Sequence, residues 1–315
     1  MGELSVLVET GVRAASPPAE VPATPPDWRG RAAAYVELTK PGITRLVSLT
    51  AAAGFYMASR GGVDAWALVN TIVGTALVAS GASAFNQLLE RGPDARMRRT
   101  AARPIPSGRV SPREAAVFAT LVSLVGTVYL LLLVNAAAAA LDALTLIVYV
   151  WVYTPLKRIT TVSTLVGAVP GALPVLAGWA AAGGSLADAG GWALFWLLFL
   201  WQIPHFLALA WMFRDDYRRG GFVMLSMDDP DGRRTAAQSV NYAAGLVLVS
   251  AAPSLVGLTG NVYLVGSVLL GGALLTFSAV VLRRPTDRDA RRLFFASVIY
   301  LPLLLVLMVL DKLPR

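Results

Sequence analysis

The sequence contains no cysteine, a single histidine and few charged residues. The absence of cysteine excludes disulfides, thiolate metal sites and a cysteine nucleophile. Charged residues make up 15% of the chain. A soluble globular domain carries roughly a quarter. A composition this apolar excludes a soluble enzyme.

Hydrophobic residues make up 56% of the chain and are concentrated in runs. Each run has about twenty residues, the length at which a helix crosses a bilayer. The pattern predicts an all-α, polytopic membrane protein with nine transmembrane helices. We expect these helices near residues 43–60, 65–89, 114–134, 137–155, 161–182, 191–213, 236–258, 261–282 and 293–310.

The net charge of +8 does not indicate a nucleic-acid partner, because the basic residues lie in short loops between the apolar runs. With the N-terminus placed inside, 24 of the 27 Lys and Arg residues fall on the inner side. The outer side keeps Arg60, Lys312 and Arg315. This asymmetry follows the positive-inside rule. It predicts a multi-pass protein of the cell (inner, cytoplasmic) membrane with a cytoplasmic N-terminus and an outside C-terminus.

The first residues are rich in Ala and Pro and lack a signal-peptide core. We therefore predict a disordered cytoplasmic tail over residues 1–34 and one transmembrane domain over residues 35–315.

The first polar cluster lies where the second predicted helix ends. Asn86, Glu90 and Asp94 follow one another at intervals of four, the spacing of one helical face. Oxygen ligands at this spacing suit Mg²⁺, which leaves coordination positions for phosphate. Three guanidinium groups follow, at Arg98, Arg99 and Arg103. This combination favours a site for Mg²⁺ and a diphosphate, with an ordinary basic loop as the alternative.

The second polar cluster follows the sixth predicted helix. It begins with Asp215 and Asp216 and continues with Asp228, Asp229 and Asp231. Two acidic clusters at one membrane face could hold one diphosphate through two or more metal ions. The alternative is a hydrophilic loop that keeps the helix end in water. Lys157 and Arg158, in the loop after the fourth helix, either extend a cationic rim for phosphate or only follow the positive-inside rule.

His205 lies in the sixth predicted helix, about 12 Å from its cytoplasmic end at 1.5 Å per residue. An ionisable residue at such depth is a candidate functional residue. Its imidazole could ligate a metal or haem iron, or could hydrogen-bond a neighbouring helix.

These motifs resemble a known family. Residues 86–104 read NQLLERGPDARMRRTAARP and resemble the Asn-x3-Asp-x3-Asp region of UbiA-type prenyltransferases. The Met-x-Arg-Thr-x-x-Arg-Pro within them is similar to one branch, the protohaem IX farnesyltransferases. Further segments agree with that branch over roughly residues 35–310: LTKPGIT, YTPLKRIT, WQIPHF, RDDY, DPDGRRT and LFFASVIYLPLL.

The resemblance implies a bundle of nine helices around a lipid-open cavity. It implies transfer of the farnesyl group of farnesyl diphosphate to a vinyl group of haem B, with Mg²⁺, giving haem O. Asn86, Glu90 and Asp94 would then hold Mg²⁺ and diphosphate, and Asp215 and Asp216 would belong to the second acidic region. His205 falls on the Pro-His-Phe element. Possible protein partners are a haem O oxygenase or proteins that assemble cytochrome oxidase.

The chain departs from the family pattern at several positions. Glu90 stands where Asp is commoner, Gly92 and Pro93 replace an acidic or polar pair, and Gly42 replaces a residue that is often Arg. A quinone-precursor prenyltransferase is the alternative within the same enzyme class. A transporter is the alternative from another class, although the acids cluster at one face rather than at mid-membrane, where coupled transporters usually place them.

Overall fold

The computed structural model describes residues 28–314, which form a helical bundle. The helices, in chain order, are α1 (Trp28–Leu38), α2 (Pro41–Ala58), α3 (Ala65–Leu89), α4 (Arg91–Arg96), α5 (Pro112–Leu133), α6 (Ala136–Ile147), α7 (Thr154–Leu156), α8 (Ser163–Ala181), α9 (Ala189–Met212), α10 (Arg214–Gly220), α11 (Arg233–Ser250), α12 (Ala252–Leu255), α13 (Asn261–Arg283) and α14 (Asp287–Leu310). A π-helical turn, Val148–Tyr153, joins α6 to α7, and a 3-10 turn, Leu225–Met227, precedes α11.

Nine long helices occur within residues 28–314, at the positions predicted from the sequence, if α6, the π turn and α7 are taken as one. Seven of them are long and apolar enough to cross a membrane, which confirms a multi-pass membrane protein. The other two are α2, which carries Arg45, and α11, which begins with Arg233 and Arg234. The number of nine crossings therefore stays a prediction.

The predicted tail needs a correction at its end. Residues 28–34, assigned to the disordered segment, form the first part of helix α1, and residues 1–27 lie outside the described residues. Helix α1 buries Ala34 and Leu38 against residues of α3 and α5, and Tyr35 packs on Phe118. These apolar contacts at the bundle surface explain why the segment is helical despite its weak apolar pattern.

The bundle packs closely where small residues meet. A Cβ atom at Gly54 of α2 would lie 2.0 Å from the Val175 carbonyl oxygen of α8, and one at Gly178 would lie 1.8 Å from the Ala51 carbonyl oxygen. Only glycine allows this approach, which is how membrane helices gain contact without a hydrophobic driving force. Helix α8 contains Pro170 and Pro174, and both are buried, so neighbouring helices cover its interrupted backbone.

Three polar segments meet at one end of the bundle. We call them the polar cap: residues 90–113, 157–162 and 213–232. The Val223 N–H donates to the Lys157 carbonyl at 2.7 Å, and the Arg96 guanidinium donates to the Gly220 carbonyl at 2.8 Å. These bonds confirm that the long loops share one end.

Candidate functional site

Asn86, on the last turn of α3, and Glu90, the residue directly after α3, face the chain that follows the π turn. Asn86 donates from Nδ2 to Thr154 Oγ1 at 3.1 Å, and the buried Glu90 carboxylate forms an ion pair with the Lys157 ammonium. Asn86 and Glu90 are one helical turn apart and therefore point the same way. The structure thus joins the first predicted cluster to Lys157, which follows the fourth predicted helix.

Lys40, between α1 and α2, is a site residue that the sequence analysis missed. Its Nζ donates to Asn86 Oδ1 at 2.6 Å. Its backbone has φ 48°, although the Pro41 that follows disfavours most conformations other than extended ones. Burial, and then the neighbouring Arg103 guanidinium, lower the pKa of Lys40 to about 7. The only sequence signal was a lysine directly before the proline that begins α2.

Asp94 lies in the short helix α4 and is fully buried. Its N–H donates to the Glu90 carbonyl at 2.8 Å, so the interval of four from Glu90 keeps a helical bond despite Gly92 and Pro93. Its Oδ2 accepts from the Arg103 guanidinium at 2.7 Å. Its Oδ1 is buried and has no hydrogen-bond partner among residues 28–314. An unpaired buried carboxylate oxygen is costly unless something else binds it.

Lys157 is the best-enclosed cation of the site. Its ammonium lies 4.8 Å from the centre of the Tyr153 ring and 5.3 Å from that of the Phe222 ring. Burial opposes the charged form, but the Glu90 carboxylate together with the Tyr153 and Tyr149 side chains raises the pKa of Lys157. The ammonium therefore remains charged at neutral pH and pairs with Glu90.

In the second acidic region, Asp215 and Asp216 contact residues of the polar cap, and their predicted binding of metal stays a prediction. Asp216 accepts at 3.1 Å from the N–H groups of both Arg98 and Arg99 and also binds the Arg219 guanidinium. Burial alone would raise the pKa of Asp216, but the hydrogen bonds from Arg219, Arg99 and Arg98 lower it. The side chain of Asp215 is 68% exposed and pairs with Arg218. These two carboxylates thus hold the polar cap together or face solvent.

Asp229 also binds backbone groups. It accepts from the N–H groups of Arg234 and Thr235 at the start of α11, which lowers its pKa against the effect of burial. Carboxylates are favoured at helix N-termini because they satisfy unpaired N–H groups there. Asp228 and Asp231 are exposed.

The predicted diphosphate-binding cations fall into two groups. Arg103 and Lys157 are largely buried and pair with Asp94 and Glu90. Arg98, Arg99 and Arg158 are exposed, and the Arg99 guanidinium lies 5.2 Å from the centre of the Phe213 ring. The structure therefore brings Arg103 and Lys157 to the first cluster, together with Lys40.

A cavity of about 300 Å³ adjoins this cluster. Lys40 and Arg103 contribute its cationic wall, and Pro41, Gly42 and Ile43 contribute the start of α2. A Cβ atom built at Gly42 would meet no atom within 4 Å. The departure at Gly42, where the resembling family often has Arg, therefore leaves this cavity open.

His205 is a residue of α9, and its side chain packs against α14. Its Nδ1 is 2.8 Å from Ser297 Oγ, and its ring stacks on Phe294 with centroids 4.6 Å apart. The Ser297 hydroxyl donates to the Phe294 carbonyl at 2.6 Å, so it accepts from His205, which places the imidazole proton on Nδ1. The structure therefore shows the hydrogen bond to a neighbouring helix that was one of the two expected roles, and leaves the Nε2 lone pair as the acceptor.

The residues of the first cluster fit a hard divalent cation. Asn86, Glu90 and Asp94 offer oxygen ligands, and the unpartnered Oδ1 of Asp94 is a vacant acceptor. No group of three or more His, Cys, Asp or Glu side chains suited to a metal occurs within residues 28–314. Two carboxylates and one amide match Mg²⁺, which keeps several positions for water and phosphate oxygens.

The comparisons with known proteins agree with the geometry. The UbiA prenyltransferase family matches residues 47–299. A protoheme IX farnesyltransferase of Solibacter usitatus is 45% identical over 88% of this chain and 98% of its own length. One from Salinibacter ruber is 48% identical over the same shares of the two chains.

Solved structures show the same fold. A structure of digeranylgeranylglyceryl phosphate synthase superposes with a TM-score of 0.75 at 16% identity, covering 89% of this chain and 98% of that one. A UbiA homologue from Archaeoglobus fulgidus, bound to GPP and Mg²⁺, superposes with a TM-score of 0.61 at 15% identity, covering 87% and 99%. The chain therefore belongs to the UbiA prenyltransferase family, among the protoheme IX farnesyltransferases.

Proposed function

We propose that the protein transfers the farnesyl group of farnesyl diphosphate to a vinyl group of haem B. The product is haem O, with a hydroxyethylfarnesyl side chain, and diphosphate is released. The observation that carries the proposal is the buried cluster of Asn86, Glu90 and Asp94 facing Lys40, Arg103 and Lys157. Relatives 45% and 48% identical along nearly their whole length are protoheme IX farnesyltransferases, which supports the haem substrate.

Asn86, Glu90 and Asp94 would hold Mg²⁺, and Lys40, Arg103 and Lys157 would bind the diphosphate oxygens. When bound, Mg²⁺ supplies positive charge against the charge that grows on the leaving group. The three protein cations act in the same direction, and their burial makes each contact stronger than it would be in water. The solved homologue with GPP and Mg²⁺ supports a prenyl diphosphate and a divalent cation in this fold.

The reaction needs no protein nucleophile, which agrees with the absence of cysteine. The bond between the allylic carbon and the diphosphate oxygen breaks, and both electrons leave with the diphosphate. The vinyl group of haem B gives its π electrons to the allylic carbon. The cation formed beside the porphyrin ring adds water and releases one proton. The apolar helices exclude bulk water from the allylic cation until the new carbon–carbon bond has formed.

His205 is the proposed haem contact. Its Nδ1–H is held by Ser297 Oγ, so the Nε2 lone pair is the one that can meet haem iron. Ligating histidines usually have their other ring nitrogen oriented by such a hydrogen bond. His205→Gln keeps hydrogen-bonding groups but is a poor iron ligand, so we expect weaker haem B binding and a shifted haem absorption spectrum. An unchanged spectrum with weaker haem binding would indicate a contact between His205 and a haem propionate. Haem binding like that of the parent would mean that His205 only packs against α14.

The direct test is a haem extract from cells that express the chain. A new, more hydrophobic haem should be present with the parent chain and absent with a vector control. Purified protein in nanodiscs, supplied with farnesyl diphosphate, haem B and Mg²⁺, should form the same product. A prenylated quinone precursor without any new haem would support the alternative within the prenyltransferases.

The proposal also gives an orientation. The N-terminus and the polar cap would be cytoplasmic and the C-terminus outside, in the cell inner membrane. Reporter fusions after residues 100 and 225 should then report the cytoplasm, and fusions near residues 185 and 260 the outside. A cytoplasmic signal near residue 185 would contradict the helix assignment.

A further inference from the structure

The connection between α3 and the segment after the π turn consists of two matched contacts. Asn86 meets Thr154, and Glu90 meets Lys157. Asn86 and Glu90 are four residues apart and their partners are three residues apart, which is about one helical turn in each case. The π turn Val148–Tyr153 lies immediately before these partners. An inserted residue rotates everything after it by about 100°, so the π turn sets which side of the helix faces α3.

The geometry points to Thr154 as a positioning residue that fixes the orientation of the Asn86 amide. The inference rests on the proposed function, in which Asn86 faces Mg²⁺ and diphosphate. Thr154 is buried, and its hydroxyl donates to the Tyr149 carbonyl at 2.8 Å. The same carbonyl accepts the Thr154 N–H across the π turn.

A hydroxyl has one proton to donate. Because the Thr154 proton is bound to Tyr149, Oγ1 can only accept from Asn86, and it accepts from Nδ2. The other end of the amide, Oδ1, must then face Lys40, which can only donate in its ammonium form. A flipped amide would place an NH₂ group against an ammonium and a carbonyl oxygen against a lone pair. The hydrogen bonds that link Tyr149, Thr154, Asn86 and Lys40 in series therefore allow one orientation of the Asn86 amide, with Oδ1 toward the cations.

Removal of the Thr154 hydroxyl should release this constraint. Thr154→Val keeps the shape of the side chain and loses the acceptor, which leaves the buried Nδ2 of Asn86 unsatisfied. We expect the affinity of the full chain for Mn²⁺ with inorganic diphosphate to fall about tenfold, the scale of one lost buried hydrogen bond. Binding is read from the loss of the free Mn²⁺ resonance on titration in nanodiscs. Thr154→Ser, which keeps the hydroxyl, should bind like the parent.

Thr145 provides a matched control on α6. Its hydroxyl donates to the Leu141 carbonyl at 2.8 Å, as Thr154 donates to Tyr149, and within residues 28–314 no side chain donates to it. Thr145→Val should therefore leave Mn²⁺ and diphosphate binding unchanged. In kinetic measurements, Thr154→Val should raise the Mg²⁺ concentration at half-saturation and the KM for farnesyl diphosphate by a larger factor than it lowers kcat.

A double-mutant cycle separates positioning from general stability. If Thr154 acts through Asn86, Thr154→Val should add nothing to the defect of Asn86→Ala. A full additional defect in the Asn86→Ala background would overturn the proposal, as would parent-like binding by Thr154→Val. If Thr154→Val does not accumulate, the affinity for Mn²⁺ with diphosphate is measured for Thr154→Ala instead. Failure of both to accumulate, with Thr145→Val accumulating normally, would mean that the hydroxyl holds the fold and would also overturn it.

The variant Asn86→Ala separates an error in the proposed binding site from an error in the positioning role of Thr154. If Asn86→Ala binds Mn²⁺ and diphosphate like the parent, the proposed site itself is wrong. If Asn86→Ala binds weakly and Thr154→Val binds normally, only the positioning role is wrong.

Discussion

The two acidic regions look alike in sequence but make different contacts in the structure. In the region of Glu90 and Asp94 the carboxylates are buried and meet side-chain cations from other segments, and one oxygen of Asp94 is unpartnered. In the region of Asp216 and Asp229 the carboxylates accept mainly from backbone N–H groups. These contacts favour the first region as the proposed site for a charged ligand, and they tie the second region to the backbone of the polar cap.

The difference indicates that the groups contacted by a carboxylate, rather than the number of acidic residues in a segment, distinguish a candidate binding site from a structural one. A carboxylate that accepts several N–H bonds has its lone pairs occupied by the fold. A buried carboxylate with a free lone pair requires a ligand, a proton or a water. Substitutions that remove charge without changing shape can therefore test the two regions against each other.

The largest effect is expected at Asp94. Asp94→Asn keeps an oxygen for Arg103 but loses the charge that would face Mg²⁺. The rate of haem O formation should fall on the order of 10²–10³, the scale for loss of one preorganised electrostatic contact. The variant should accumulate in the membrane, because the residue lies in the polar cap. Near-normal product formation would remove Asp94 from the site and weaken the contrast between the regions.

Glu90→Gln is expected to lower the rate by about 10². It also leaves the buried Lys157 ammonium without its carboxylate, so a loss of protein could be mistaken for a loss of catalysis. Glu90→Gln/Lys157→Gln removes both charges and is the control for accumulation. The double variant should accumulate at least as well as Glu90→Gln and form haem O no faster than Glu90→Gln. Recovery of activity in the double variant would mean that the ion pair is structural only.

Asp216→Asn should affect stability more than chemistry. The amide can still accept one N–H bond, but it loses charge-assisted bonds to Arg219 and to the Arg98 and Arg99 amides, which are the stronger kind. We expect a lower denaturation temperature in detergent and a rate within about tenfold of the parent after correction for folded protein. A rate loss as large as that of Asp94→Asn, with unchanged denaturation temperature, would return Asp216 to the metal-binding set.

The sequence predicted the helical architecture and the first cluster because both depend on local spacing. Apolar runs of about twenty residues mark the long helices, and the interval of four places Asn86 and Glu90 on one face. Lys40 was missed because its approach to Asn86 depends on a left-handed backbone between two helices. The metal-binding role of Asp216 stays a prediction, and the sequence does not reveal that the Arg98 and Arg99 amides lie opposite this carboxylate. The beginning of α1 was missed because its helix is stabilised by contacts with distant residues.

The smallest effect is expected at Asp215, the neighbour of Asp216 in sequence. Its carboxylate is exposed and pairs with Arg218 one turn later on the same short helix, and such surface pairs contribute little because water and salt screen them. Asp215→Asn should therefore change the rate of haem O formation and the Mg²⁺ concentration at half-saturation by less than about twofold. The measurement is a Mg²⁺ titration of the parent and the variant in the same nanodiscs, with Asp94→Asn as the reference for a lost ligand. A large rise in the Mg²⁺ requirement of Asp215→Asn would show that the second region moves toward the diphosphate when substrates bind, and the distinction between the two regions would then hold only without ligand.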